Sequence, residues 1–213
     1  MKLKLWFLGT ALLTIGLMAS VVSVSEGSKK KNHFVGVKKC AKCHKKSKYG
    51  AQYLKWKKMK HAQAYKVLGT AKAKEVAKKR GIKDPQKSMK CLKCHVTGIH
   101  ETGGIPKNIK KEDGVGCESC HGAGSGYYKK SIMKKIGKAR KKGHKAWAKK
   151  AEEYGLHLPT PKTCSKCHNS ESPTYKGPDP KKDWKGFVKE FKKRFKEKIQ
   201  HYKKGHKMSE NWK

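Results

Sequence analysis

Apolar residues in this chain fall into short groups separated by lysine-rich stretches, with one longer apolar pattern towards each end. Residues 5–24 carry no charge, follow Lys2 and Lys4, and lead into Ser23 and Ser25 ahead of Glu26. A basic start, an apolar stretch and small residues are the parts of a secretory signal. We therefore read 1–25 as a signal peptide and 26–213 as the mature domain. Retention of the stretch as a membrane anchor is the alternative, since it is nearly long enough to span a bilayer. Gly9, Thr10, Thr14, Gly16 and Ser20 dilute it. Towards the other end, Trp184, Phe187, Val188, Phe191, Phe195, Ile199 and Tyr202 recur at helical spacing among lysines. This predicts an amphipathic helix whose stripe packs on the core or serves as a docking or dimer surface.

Between these ends the pattern predicts further helices. Tyr53 to His61 and Ala71 to Arg80 read as helical, the second ended by Gly81. Residues 129–153 read as a lysine-rich helical region broken at Gly137 and Gly143. Thr97 to Gly116, Gly122 to Gly126 and Ser172 to Pro180 are rich in glycine or proline and read as loops. No alternating pattern marks a strand, so the expected class is all-α.

Only 35% of residues are apolar and 33% are charged. Such a composition leans towards disorder unless a cofactor supplies the missing core.

One motif supplies that cofactor. Cys-x-x-Cys-His occurs at Cys40, Cys43 and His44; at Cys91, Cys94 and His95; at Cys117, Cys120 and His121; and at Cys164, Cys167 and His168. On a helical turn, i, i+3 and i+4 share one face, so two thioether tethers and an imidazole would meet one porphyrin. Zinc knuckles also use Cys-x-x-Cys, but they do not require His directly after the second Cys. The motif is that of a c-type haem, and four copies predict four covalently bound haems with iron. All eight cysteines are used in this way. Such haem is attached outside the cytoplasm in bacteria, so the expected location is the periplasm.

The net charge is +40, from 55 Lys and Arg against 15 Asp and Glu. For an exported haem protein this reads as steering towards an acidic redox partner, as a solvated surface, or as affinity for an anionic membrane. Nucleic acid is not an expected partner outside the cytoplasm.

Each haem iron needs a sixth ligand or stays open to a small molecule. Seven histidines lie outside the motifs: His33, His61, His100, His144, His157, His201 and His206. Met59 is a further donor. His33, His201 and His206 are expected to face solvent or haem propionates.

The segment from Phe34 to His44, with Trp56 and His61 to Ala64 after it, resembles the start of the tetrahaem cytochrome c-554 family. Similar likenesses are Cys91 to Gly98 with Gly103 and Gly104, Gly114 to Gly124, Cys164 to Asn169, and the tail around His201 and Tyr202. The resemblance runs through most of the mature chain. It implies an elongated all-α tetrahaem fold with stacked haem pairs and little or no sheet. It implies a periplasmic electron carrier that accepts electrons from an oxidoreductase, in the best-known case hydroxylamine oxidoreductase, and passes them to a membrane-bound acceptor.

The resemblance also implies ligands. His61 matches the residue opposite His121, and His157 the one opposite His168. The family places a His soon after the third motif; this chain has none there until His144, which we set opposite His44. The haem at His95 would then be five-coordinate, the site linked in the family to nitric oxide reduction. His100, standing where a small residue is expected, would ligate a neighbouring haem, line the open site as an acid, or lie at the surface. The functions in view are therefore an electron carrier, an enzyme reducing nitric oxide or a similar small nitrogen oxide, and a subunit of a haem filament.

Overall fold

The computed structural model describes residues 31–198. The expected signal peptide, Ile199, His201, Tyr202 and His206 lie outside the described residues, as does the side chain of Phe195. Among the described residues there are eleven α-helices joined by 3-10 turns and no strand, as the all-α expectation requires. None of these helices is long and apolar enough to cross a membrane.

The chain enters through α1 (Val37–His44). It starts at Gly36, whose φ of 81° suits glycine, and there a Cβ would sit 2.6 Å from the Asn108 carbonyl oxygen. The helix expected over 53–61 is divided. α2 (Gln52–Lys57) stops, a 3-10 turn covers Lys60–Gln63, and α3 (Ala64–Val67) follows. The division holds because the turn is pinned from outside. Val115 N donates to the His61 carbonyl at 2.9 Å, and Trp56 Nε1 donates to the Val115 carbonyl at 2.9 Å.

α4 (Ala71–Lys78) matches its expectation. The Thr70 hydroxyl caps it by accepting from Ala73 N, and Gly81 follows at a positive φ of 66°. α5 (Met89–His95) leads to the short α6 (Ile99–Thr102), set in a stretch expected to be loop. α7 (Cys117–His121) is a single turn. α8 (Lys130–Ala139) and α9 (His144–Glu153) form a hairpin. Its break falls at Gly143, where φ is 96°, and not at Gly137, which stays within α8. A helical glycine costs about 1 kcal/mol against alanine, too little to end a helix whose apolar face is buried.

α10 (Pro161–Ser165) opens with a capping box between Thr160 and Thr163 and proline in its first turn. α11 (Trp184–Lys198) is the amphipathic helix the stripe predicts. Phe187 is fully buried and its ring centroid lies 4.6 Å from that of Phe191. Phe191 in turn meets His168 at 5.4 Å, so this face packs inward against the fourth motif. Trp184 stacks on Phe187 and remains 46% exposed.

The protein core is divided and small. One cluster joins Tyr65, Leu68, Leu92, Val96 and Ile99; another joins Tyr127, Ile136, Ala151 and Leu156 beneath the α8–α9 hairpin. Separate clusters of this size are what a 35% apolar chain can build from side chains alone.

Candidate functional site

The first motif lies on α1, the second on α5, and the third fills α7. The fourth begins in α10 and continues as a tight turn, where Cys167 N and His168 N both donate to the Cys164 carbonyl at 3.2 and 3.0 Å. The helical spacing expected of the motif is therefore present in all four. None of the eight cysteines forms a disulfide.

Three motif imidazoles are oriented through Nδ1. His44 Nδ1 donates to Gln52 Oε1 at 3.1 Å, His95 Nδ1 to the Ala64 carbonyl at 2.6 Å, and His121 Nδ1 to the His157 carbonyl at 3.0 Å. Each acceptor is a carbonyl oxygen, so the proton sits on Nδ1 and Nε2 keeps its lone pair. Metal-bound imidazoles are held by such a bond on their far nitrogen. Paired thiols followed by an imidazole protonated on Nδ1 fit the attachment and axial ligation of a haem.

The fourth imidazole, His168, is surrounded by rings. Tyr175 and Phe191 lie at 5.4 Å, and His61 at 6.0 Å with an interplanar angle of 78°. Two imidazoles that bind one metal from opposite sides at about 2 Å each set their centroids about 6 Å apart. Burial holds His61 below the usual histidine range, which favours the neutral, ligating form. The resemblance sets His61 opposite His121; the structure sets its ring beside His168 instead.

His157 occupies the place beside His121. Its N–H donates to the His121 carbonyl at 3.0 Å while its own carbonyl receives His121 Nδ1, a two-way clasp. Its ring is exposed and meets Glu152 through Nδ1 at 3.0 Å. Gly122 is at φ 79°, and a Cβ there would lie 2.5 Å from the His157 ring. The clasp is on the Nδ1 side of His121, behind the nitrogen that would face iron. His157 also lines a cleft with Thr160 and Thr163, at the start of the fourth motif's helix.

His144 is the first residue of α9, exposed, with its ring 5.3 Å from Trp147. No contact among the described residues joins it to His44, which meets Gln52 and Tyr49 and lies near His121. The glycine break that starts α9 seats His144 at the hairpin tip. His33 is exposed at the chain entry. His100 is exposed as well, with Nε2 4.0 Å from Cys94 Sγ.

The sulfurs interlace the motifs. α1 packs against α7 and the Cys40 and Cys117 thiols interact, joining motifs one and three. Cys120 and Cys164 interact electrostatically as α7 packs against α10, joining three and four. Cys94 and Cys167 come together, joining four and two, and with His100 they bring three ligand atoms within 4.8 Å of one another. The cysteine contacts thus run one, three, four, two, while Thr97, just past motif two, also receives the Ser119 hydroxyl of motif three at 3.1 Å.

Each end of that line has its own clamp. Glu118, the only acidic residue inside any motif, is 3% exposed and accepts from Val35 N, Gly36 N and Gly124 N at 2.9, 2.8 and 2.7 Å. It fastens the segment before motif one to motif three. At the other end, Lys93 of motif two reaches Glu171 beyond motif four, and Lys166 of motif four reaches Glu101 beyond motif two, both at 2.7 Å. Arg80 Nη1 adds a contact to the Glu171 carbonyl at 3.4 Å. Buried Thr97 accepts from Gly116 N at 2.7 Å and donates to the Gly114 carbonyl at 3.0 Å, setting the loop that enters motif three. Sequence reasoning missed these supports. Glu118 carried a signal, the one acid inside a motif, at the position where the other three carry Ala41, Leu92 and Ser165; Thr97 and Gln52 carried none.

The family model for cytochrome c554 and c-prime matches residues 39–122, which hold the first three motifs. Cytochrome c-554 of Nitrosomonas europaea is 37% identical over 151 residues, covering 68% of this chain and 61% of that protein. No solved structure matches.

Proposed function

Because this chain belongs to the cytochrome c-554 family, we propose that it is a c-type cytochrome that relays electrons through four covalently attached haems. Haem iron supplies a one-electron couple whose potential follows its axial ligands and burial. The chain's own residues do the rest. Eight cysteines tether the cofactors, motif histidines present Nε2, and Gln52, Ala64 and His157 hold three of those rings in one tautomer. His61 would supply the second imidazole at the His168 site.

The observation that carries this reading is the succession of adjoining motifs: α1 packs on α7, α7 on α10, and the Cys167 sulfur of motif four lies within 4.8 Å of Cys94 in motif two. A carrier needs its redox centres in succession, and a protein that only stored haem would not. The chain spans 61% of the length of its curated relative. We take the periplasm as its location, an acidic oxidoreductase of the hydroxylamine-oxidising type as its donor, and a membrane-bound carrier as its acceptor. The resemblance and the net charge of +40 support these assignments.

The test is a mass measurement with a reductive titration of the purified protein. The expected result is four covalent haems and four electrons taken up per chain. Fewer than four attached haems, or centres that a mediator cannot reduce, would overturn the reading.

A further inference from the structure

We propose that the α8–α9 hairpin is the surface on which an acidic partner protein docks to exchange electrons at the third-motif haem. The proposal deepens the electron-carrier reading and rests on it. Eleven of the 22 residues from 129 to 150 are Lys or Arg and none is Asp or Glu, the hairpin's two acids, Glu152 and Glu153, lying at the foot of α9, against 55 Lys and Arg in all 213 residues. Positive charge is thus about twice as dense here as along the chain. Lys130, Lys134, Lys135, Lys138, Lys141 and Lys145 are all exposed. No salt bridge among the described residues holds any of these six. Like charges crowded on a short hairpin repel one another, so an acidic surface laid against them gains by relieving that field as well as by direct attraction.

The hairpin can bear this charge because it is fastened from within. Ile136 and Ala151 are almost fully buried, with Tyr127 and Leu156 beside them. Arg140 stacks on Trp147 at 4.8 Å across the turn. A rigid platform docks a partner at lower entropic cost than mobile lysines on a loop.

Both stems of the platform end at one motif. On the α8 side, Tyr127 Oη donates to the Gly122 carbonyl at 2.6 Å, one residue past His121. On the α9 side, Leu156 leads into His157, whose backbone clasps His121 in both directions. A partner held on the hairpin therefore stands next to the third motif, from which the line runs one way to motif one and the other way to motifs four and two. The exchange is a single electron: the partner's reduced cofactor is oxidised by one electron as one ferric iron becomes ferrous, and no bond is made or broken.

The experiment uses the haem-loaded protein and photoreduced flavodoxin, an acidic one-electron donor. Stopped-flow reduction is followed at rising salt for three proteins: the native chain, Lys134→Glu with Lys135→Glu and Lys138→Glu in α8, and Lys72→Glu with Lys74→Glu and Lys78→Glu in α4. Both variants change the net charge equally. A matching Lys→Gln set covers any loss of folding, which the haem spectrum would report. The expected result is a rate loss of about tenfold or more at low salt for the α8 variant, less than about twofold for the α4 variant, and convergence of all three at high salt. Equal losses in both variants would overturn the docking surface while leaving the carrier reading intact. A native protein that flavodoxin cannot reduce at any salt would overturn the carrier reading and with it the docking. Hairpin-dependent retention on phosphatidylglycerol vesicles or duplex DNA, with unchanged flavodoxin rates, would assign the surface to a membrane or nucleic acid and overturn the proposal as well.

Discussion

The His61 and His168 rings stand 6.0 Å apart at 78°. Crossed imidazole planes leave two iron d orbitals close in energy, which gives a strongly anisotropic low-spin signal in electron paramagnetic resonance. His61→Ala should abolish one such signal and raise the high-spin count by one haem, and added imidazole should restore it. Loss of a low-spin signal of ordinary anisotropy would return His61 to a different partner.

The buried Glu118 carboxylate receives three backbone N–H bonds. Glu118→Gln keeps the shape but loses the charge, which strengthens such bonds. Glu118→Ala leaves three donors without their acceptor. We expect a loss of about 2 kcal/mol for glutamine and about 4 kcal/mol for alanine, measured by denaturant unfolding of the haem-loaded protein. A neutral Glu118→Ala would show that the clamp contributes nothing.

Thr97→Val removes a hydroxyl that serves Gly116 N, the Gly114 carbonyl and Ser119 Oγ. The cost should be about 1–3 kcal/mol, whereas Thr97→Ser, which keeps the oxygen, should cost less than half as much. Comparison of the two midpoints checks that the oxygen, and not the methyl group, does the holding.

Acid should destabilise the protein by a route that can be timed on the pH axis. Burial holds His61 and His121 below the ordinary histidine value of 6.5. The unfolded chain then binds protons that the folded chain refuses. The penalty is absent well above 6.5, develops as pH falls through that value, and is complete below the folded-state values. Competition between protons and iron for the same imidazoles acts in the same direction. Thermal midpoints should be flat from pH 8 to about 7 and fall below about 6.5; a flat profile down to pH 5 would refute it.

The local parts of this molecule were legible because local physics makes them. Helical periodicity gave α4 and α11, and the motif spacing gave the four attachment turns. The interruption of the helix at Lys58–Met59 was hidden, because contacts between Trp56 and Val115, far apart in sequence, enforce it. Gly137 and Gly143 looked alike until the backbone separated them, since only the second adopts a positive φ. The partners of His61, His157 and His144 were read from resemblance. Ring placement depends on packing between segments that nothing in a linear motif encodes.

Interlacing the motifs has a consequence for how the molecule is made. Lys93 and Glu171, which close motif two against motif four, are 78 residues apart, and Val35 and Glu118, which close motif one against motif three, are 83 apart. Neither closure can form until the later motif has emerged. An attaching enzyme therefore meets Cys40 and Cys94 on open chain, and finds them shielded once Cys117 and Cys167 have folded over them. Loading from the N-terminus, ahead of folding, is the order that leaves every thiol within reach.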